Sequence, residues 1–410
     1  MPSGQTEPTR VVVTGLGPVS SIGIGVSAFA DALAAGRSGV SAIRSFDTTG
    51  FPYVHAGEVH EFRPESLLRR LGAGWGRASL LAGAAARLAA DDAGLPLDAL
   101  GDIRAGAVIG TTSGESQSVE QLTAQAVAGG IATMSRDIGR QIPANRLSSA
   151  VNTELGIHGE SVTIGTACSA SNYAIGYAFD RLVAGGADVM IAGGADAVCR
   201  WAHAGFYRLG ALTERTCRPF DRDRDGILTA EGGVCLVLET LEHARRRDAR
   251  VYAELRGYGL NCDAKHPVAP DALSMADCMR LAHRDAGIEP GEVDYICAHG
   301  TGTPANDLAE VRAVHEVFGS RVPPISSIKS MIGHTMGAAS GFGAVACVLA
   351  ICRGFLPPTI NLACIDPALQ PIDPVPNAAR AAEVRIAQNN GYAFGGNNAI
   401  TIFGAPPCPH

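Results

Sequence analysis

Hydrophobic positions in this chain fall into short, nearly unbroken runs that alternate with stretches of helical periodicity. Residues 10–14 (RVVVT) read as a buried strand ending at Gly15-Leu16-Gly17. Residues 26–35 then follow helical spacing and stop at Gly36, a residue suited to closing a helix. An Ala/Leu-rich helix is predicted over 78–93, and a strand over 105–109 runs into Gly110-Thr111-Thr112-Ser113-Gly114. Residues 161–166 lead to Cys168, 169–184 read as a helix, and 187–192 as a fully apolar strand. A strand over 234–238 precedes a charged helix over 241–247.

The second half repeats the style. Helices are predicted over 275–286, 309–318 and 337–352, with strands over 293–298, 325–328, 386–390 and 399–403. Apolar runs of this kind, alternating with helices, predict sheets buried on both faces. No Pro- or Ser-rich linker interrupts the chain. The expectation is two similar α/β halves, 1–255 and 256–410, packed into one body.

Composition narrows the picture. The 410 residues are 46% hydrophobic, enough for a large core, and 50 of them are glycine. Small residues therefore fill much of the interior, as tightly packed α/β layers require. The net charge of −7 disfavours a nucleic-acid-binding face, which needs clustered Lys and Arg. The eleven cysteines include no C-x-x-C pair, and Cys235 and Cys347 sit in apolar runs where a thiol acts as a small hydrophobe. No metal site is expected. The N-terminus (MPSGQTEPTR) lacks a secretory apolar stretch, and the apolar segment 337–351 is short for a bilayer span. These features predict a reduced, soluble, cytoplasmic enzyme without a membrane partner.

Two motifs imitate binding sites. Gly15-Leu16-Gly17-Pro18 resembles the start of a dinucleotide fingerprint but lacks its third glycine and the acidic residue that should follow. The run 221–226 (DRDRDG) imitates a calcium loop, yet position twelve is Gly232 rather than Glu. A solvated turn with internal ion pairs is the expectation there.

Four glycine-flanked polar sites carry the chemistry. Gly165-Thr166-Ala167-Cys168-Ser169-Ala170 lies where a strand turns into a helix. Small neighbours allow a sharp turn, and a helix N-terminus lowers a thiol pKa and supplies free amides for an oxyanion hole. A buried structural cysteine is the alternative reading. His299 ends an apolar strand and opens the loop Gly300-Thr301-Gly302-Thr303, where α/β folds place catalytic groups. Lys329 follows Ser326-Ser327-Ile328, and His334 lies in Gly333-His334-Thr335-Met336-Gly337. Each histidine alone reads equally well as structural, but one Cys, two His and one Lys in such turns point to a shared site.

At these residues the chain resembles a β-ketoacyl-acyl-carrier-protein synthase of the elongating, synthase II type. Thr166-Ala167-Cys168-Ser169 resembles the nucleophile motif, His299-Gly300-Thr301-Gly302-Thr303 the first histidine motif, and residues 329–334 the lysine and second-histidine block. Residues 391–398 (GYAFGGNN) resemble the gating loop, and the likeness spans nearly the whole chain. The resemblance implies a thiolase-like five-layer α-β-α-β-α fold, normally dimeric. It implies that Cys168 takes an acyl group from a carrier protein, and that malonyl-carrier protein then loses CO₂ and attacks that thioester.

Within it, His299 and His334 would bind the thioester carbonyl, and the amides of Cys168 and Phe394 would form the oxyanion hole. Lys329 would act electrostatically, held by Glu310. Thr301 and Thr303 would contact the pantetheine arm, Phe394 would gate the acyl chain, and Arg69 and Arg70 would align with a basic docking helix for the carrier protein. No metal or organic cofactor is implied.

Asn397 in the gating loop, Ser113 where a bulky aliphatic residue often limits the acyl pocket, the polar segment 143–147 and the sequence 230–233 (AEGG) depart from the fatty-acid pattern. They favour the ketosynthase subunit of a type II polyketide system, paired with a chain-length-factor homologue or with itself. A primary fatty-acid synthase II and a non-catalytic chain-length subunit are the alternatives. A degradative thiolase would need a second cysteine in the glycine loop, and Cys408 lies instead in the Pro-rich tail.

Overall fold

The computed structural model describes residues 9–407, so the extreme N-terminus and Cys408 lie outside the described residues. Ten strands dominate: β1 (Val11–Ser20), β2 (Ala105–Gly110), β3 (Ser161–Ile164), β4 (Val189–Asp196), β5 (Gly232–Thr240), β6 (Ala253–Cys262), β7 (Tyr295–Cys297), β8 (Ile325–Ser326), β9 (Ile386–Tyr392) and β10 (Asn397–Gly404). They form one sheet in the order β8-β7-β9-β10-β6-β1-β5-β4-β2-β3, with the short strand Gly23–Ile24 added to β1. The order within the first half, 1-5-4-2-3, is repeated in the second as 6-10-9-7-8. In each half three strands run parallel and the two nearest the junction pair antiparallel. The halves meet where Val11–Val13 of β1 pair antiparallel with residues 253–255 of β6.

Helices complete five layers. Helix α1 (Arg77–Asp92) packs on β1, β5 and β4 and carries α2 (Arg146–Leu155) beside it. Between the two sheet regions lie α3 (Ala170–Val183) and α6 (Ala339–Arg353), in contact with each other. On the far face α4 (Ala272–Ala286) covers β6 and β10 and packs on α5 (Pro304–Phe318). Apolar clusters fill the three interfaces, with Leu182, Phe342 and Leu349 in the middle one. Each such buried side chain stabilises the fold by about 1.5–3 kcal/mol. The stretch Met336–Arg353 is long and apolar enough to cross a membrane, but it is mostly buried inside the protein.

Several sequence expectations are corrected. β1 does not stop at Gly15 but continues to Ser20, with a bulge between Val13 and Gly15. The glycines serve close packing rather than a turn: a Cβ at Gly15 would lie 2.1 Å from the Ala89 carbonyl oxygen, and one at Gly17 1.9 Å from that of Ala85. The run 221–226 is solvated only at Arg222, Asp223 and Asp225, where Arg222 pairs with Asp223, and is anchored in the interior by its other members. Buried Asp221 accepts from the amides of Asp223, Ala363 and Cys364, and buried Arg224 pairs with Asp366 at 2.6 Å. Helix α2 and the helix Ser116–Gly129 escaped the sequence reading: the latter buries little along its length, whereas α2 does carry an apolar stripe, Leu147, Ala150, Val151 and Leu155, that was passed over. All ten described cysteines are free.

Candidate active site

Cys168 lies in the single turn Ala167–Ser169 that connects β3 to α3. Ala167 holds φ 50°, a left-handed conformation that makes the turn sharp enough to aim the thiol away from the helix axis. The residue is 6% exposed. The backbone amides of Cys168 itself and of Phe394 both act to favour the thiolate. Two N–H groups acting on one point have the form of an oxyanion hole.

His299 stands two residues beyond the end of β7, followed by Gly300 at φ 39°. A Cβ at Gly300 would come 2.5 Å from that of Ser327, so only glycine lets the loop close here. Buried Glu310, on α5, accepts from the amides of His299 (2.8 Å) and Gly300 (2.7 Å) and from Asn390 Nδ2 (2.9 Å). Lys329 Nζ donates to the His299 carbonyl at 2.5 Å and lies 3.5 Å from His299 Nδ1. Glu310 and Lys329 form no ion pair within 4 Å among the described residues, but the carboxylate favours the ammonium through space, and the two grip the His299–Gly300 peptide from its opposite ends.

His334 follows Gly333, and its Nδ1 accepts from the Met336 amide at 3.0 Å. That contact leaves the ring proton on Nε2. An ammonium beside Nδ1 of His299 favours the same tautomer there. The two rings lie 5.6 Å apart, centroid to centroid. Burial, then the charge of Lys329, then His334 hold His299 well below the usual imidazole range. Burial and Lys329 do the same to His334. Both rings are therefore neutral donors at pH 7.

Cys168, His299 and His334 line one cavity of about 310 Å³, together with Thr301, Thr303 and Phe394. The two threonine hydroxyls are bonded to each other at 2.8 Å. Lys329 sits behind His299 rather than on the wall. Ser113 is not in this cavity. It lines an adjoining one of about 250 Å³, with Trp201, Met336 and Asp196, and the two cavities share Phe206, Leu209 and Phe394. The Phe206 and Phe394 rings, 6.0 Å apart, stand between them, and Phe394 is 40% exposed.

Arg69 and Arg70 line neither cavity. They lie past the end of the short helix Pro64–Leu67, in a bend, so their placement on a helix is corrected. Their amides are tied to Glu154 and their side chains are exposed. Asn390 and Asp196 belong to the site's surroundings and were not singled out in the sequence, because their partners are far away along the chain.

The thiol also departs from expectation. A helix N-terminus favours the thiolate, but burial outweighs it and pushes Cys168 up to about 11, with Lys329 opposing. The thiol is thus protonated at neutral pH, and its thiolate fraction rises about tenfold per pH unit below that value. Iodoacetamide labelling at Cys168, followed by peptide mass spectrometry, is expected to accelerate continuously from pH 7 to 9. A plateau below pH 8 would show an activated resting thiolate instead.

Comparison with known proteins identifies the family. A model of the β-ketoacyl synthase N-terminal domain matches residues 8–244, and one of the C-terminal domain matches residues 252–363. The chain is 38% identical to 3-oxoacyl-acyl-carrier-protein synthase 2 of Coxiella burnetii, over 97% of this chain and 98% of that protein. It is 36% identical to nodulation protein E of Rhizobium meliloti, over 96% and 98%. A solved structure described as the ishigamide ketosynthase/chain length factor superposes with a TM-score of 0.96 at 50% identity, covering 98% of this chain and all of that one. The chain belongs to the β-ketoacyl synthase family of condensing acyltransferases.

Proposed function

We propose that this chain is the catalytic ketosynthase of a dissociated type II polyketide system, working on acyl groups delivered by a carrier protein. The observation that carries the chemistry is the meeting of Cys168 with two neutral, Nε2-protonated histidines in one cavity. In the first step the Cys168 sulfur attacks the carrier's thioester carbonyl, and the amides of Cys168 and Phe394 stabilise the oxyanion. The pantetheine sulfur leaves and takes up the proton that Cys168 gives away. Malonyl-carrier protein then enters, with Thr301 and Thr303 facing its arm. Its C–C bond to the carboxylate breaks, CO₂ departs, and the enolate oxygen accepts from His299 and His334.

The enolate carbon attacks the acyl carbonyl on Cys168, and the C–S bond breaks to release the β-ketoacyl product. The Cys168 sulfur regains its proton from water. Decarboxylation supplies the driving force, so the cycle as written uses no metal or organic cofactor. Neutral imidazoles suit this step: each donates a hydrogen bond without handing over a proton that would quench the enolate.

The polyketide assignment is supported by the 50% identity to the ishigamide ketosynthase/chain length factor, against 38% for the synthase 2 relative. A 32% identical structure is described as a type II polyketide ketosynthase complex with its acyl carrier protein, bound to the hexaketide. By extension, this chain pairs with a carrier protein, with exposed Arg69 and Arg70 facing its acidic surface, and with a second ketosynthase-like subunit. Ser113, small where the acyl group would rest, fits a long chain. Primary fatty-acid elongation remains the second reading, favoured by the synthase 2 relatives.

The test is mass spectrometry of carrier-bound products from malonyl- and acyl-carrier protein, with and without a Cys-less homologue. Chains extended through several rounds, to a defined length only when the partner is present, are expected. Single two-carbon extension by the chain alone would instead favour the fatty-acid reading.

A further inference from the structure

The two halves each contain a sharp turn leading into a central helix. Thr166-Ala167-Cys168 precedes α3, and Thr335-Met336-Gly337 precedes α6. Ala167 has φ 50° and Met336 φ 54°, so both turns use a left-handed conformation at a residue that bears a side chain. What faces the turn differs. At the first, the amides of Cys168 and Phe394 favour the thiolate. At the second, the nucleophile position is Gly337, and its amide donates to Asp196 Oδ2 at 2.7 Å.

The groups that close the turns come from equivalent strands of opposite halves. Phe394 follows β9 of the second half and reaches the first turn, while Asp196 ends β4 of the first half and reaches the second. There is no room for a side chain at Gly337: a Cβ there would meet the Thr111 Cα at 2.5 Å and Asp196 Oδ2 at 2.7 Å.

Asp196 is 2% exposed, and its other contacts tie the neighbouring cavity to the same point. Oδ2 also accepts from the Thr112 amide at 2.8 Å, while Oδ1 accepts from Thr111 Oγ1 at 2.7 Å and the Ser113 amide at 3.2 Å. One residue before Gly337, the Met336 amide is the donor that fixes His334 Nδ1. We infer that Asp196 is a positioning residue: by anchoring Gly337 it maintains the left-handed turn at Met336 that orients and tautomerises His334. This rests on the function proposed above.

In Asp196→Asn the amide nitrogen cannot accept: in place of Oδ2 it breaks the contacts to the Gly337 and Thr112 amides, and in place of Oδ1 it breaks at least the contact to the Ser113 amide. A displaced catalytic group costs about 10²-fold in rate when it shifts by about 1 Å. The full chain is given malonyl-carrier protein, and CO₂ release and Cys168 acylation are followed separately. CO₂ release is expected to fall about 10²-fold in kcat, with KM and the acylation rate close to the wild type. The ¹⁵N resonances of the His334 ring, read without substrate, should change from one tautomer to a mixture of two.

Glu239→Gln, at a buried carboxylate bonded to Thr14, His243 and Arg247, is the control for simple destabilisation and is expected to alter neither readout. If Asp196→Asn does not fold, Thr111→Val removes one donor to the same carboxylate and should move both readouts in the same direction by a smaller amount. An unchanged His334 tautomer, or equal losses of CO₂ release and acylation, would overturn the inference. A wild-type chain that releases no CO₂ yet shows the tautomer change in the variant would overturn the proposed function and leave the positioning role standing.

Discussion

Cys168→Ala is expected to stop condensation while leaving release of CO₂ from malonyl-carrier protein measurable. The variant keeps His299, His334 and Lys329 in place, since none of them takes a side-chain hydrogen bond from the sulfur. The enolate therefore still forms, but no acyl thioester awaits it. Loss of a covalent nucleophile costs up to about 10⁶ in rate in well-measured enzymes, so a fall of at least about 10³-fold in product is the expectation. Mass spectrometry of the chain after incubation with acyl-carrier protein gives the matching result: the acyl adduct present on the wild type is absent from the variant. Condensation at an unchanged rate in the purified complex would mean that a partner supplies the nucleophile, and this chain would then be the non-catalytic subunit.

His299→Ala and His334→Ala form the converse pair. Each removes one Nε2 donor from the position where enolate charge develops, and loss of one such donor costs about 10²–10³-fold. CO₂ release should fall by that amount in either variant, while acylation of Cys168, which relies on backbone amides, should fall far less. The double variant should lose less than the product of the two, because the donors share one oxygen. The sign of the pH dependence follows from burial. Both rings are held well below the ordinary imidazole range, so neither gains a proton as pH falls from 8 to 6, and the wild-type rate of CO₂ release should show no acid limb there. A rate that titrates near 6.5 would mean that one ring faces water.

The chemistry of this site was legible where a reactive side chain sat in a turn of small residues. Cys168, His299, Lys329 and His334 each announce themselves that way, and the structure gathers them around one cavity and its rear wall. Alternating apolar runs likewise revealed the buried strands. What escaped was whatever depends on distance along the chain. Glu310 was named through the resemblance as a partner of Lys329, but its bonds to the His299 amide and to Asn390, eighty residues on, carry no local mark. Gly15 and Gly17 looked like a turn because sequence does not reveal that the backbone of α1 lies against them. The thiol was misjudged for a related reason: the helix end is visible in the sequence, whereas the burial that outweighs it is not.

The ladder between Val11–Val13 and residues 253–255 has a kinetic meaning. It stitches the two sheets into a single hydrogen-bonded continuum, so prising the halves apart to admit cargo would require tearing backbone pairing and unzipping α3 from α6. Traffic must then depend on something smaller than a half. The natural pivot is the glycine pair Gly395 and Gly396, at φ 86° and 78°, which immediately follows the Phe394 ring. A swing of one aromatic residue on such a swivel belongs to the nanosecond-to-microsecond world of loops rather than the slower regime of domain closure. On the proposed function, entry of an acyl chain would then be set by this loop rather than by separation of the halves.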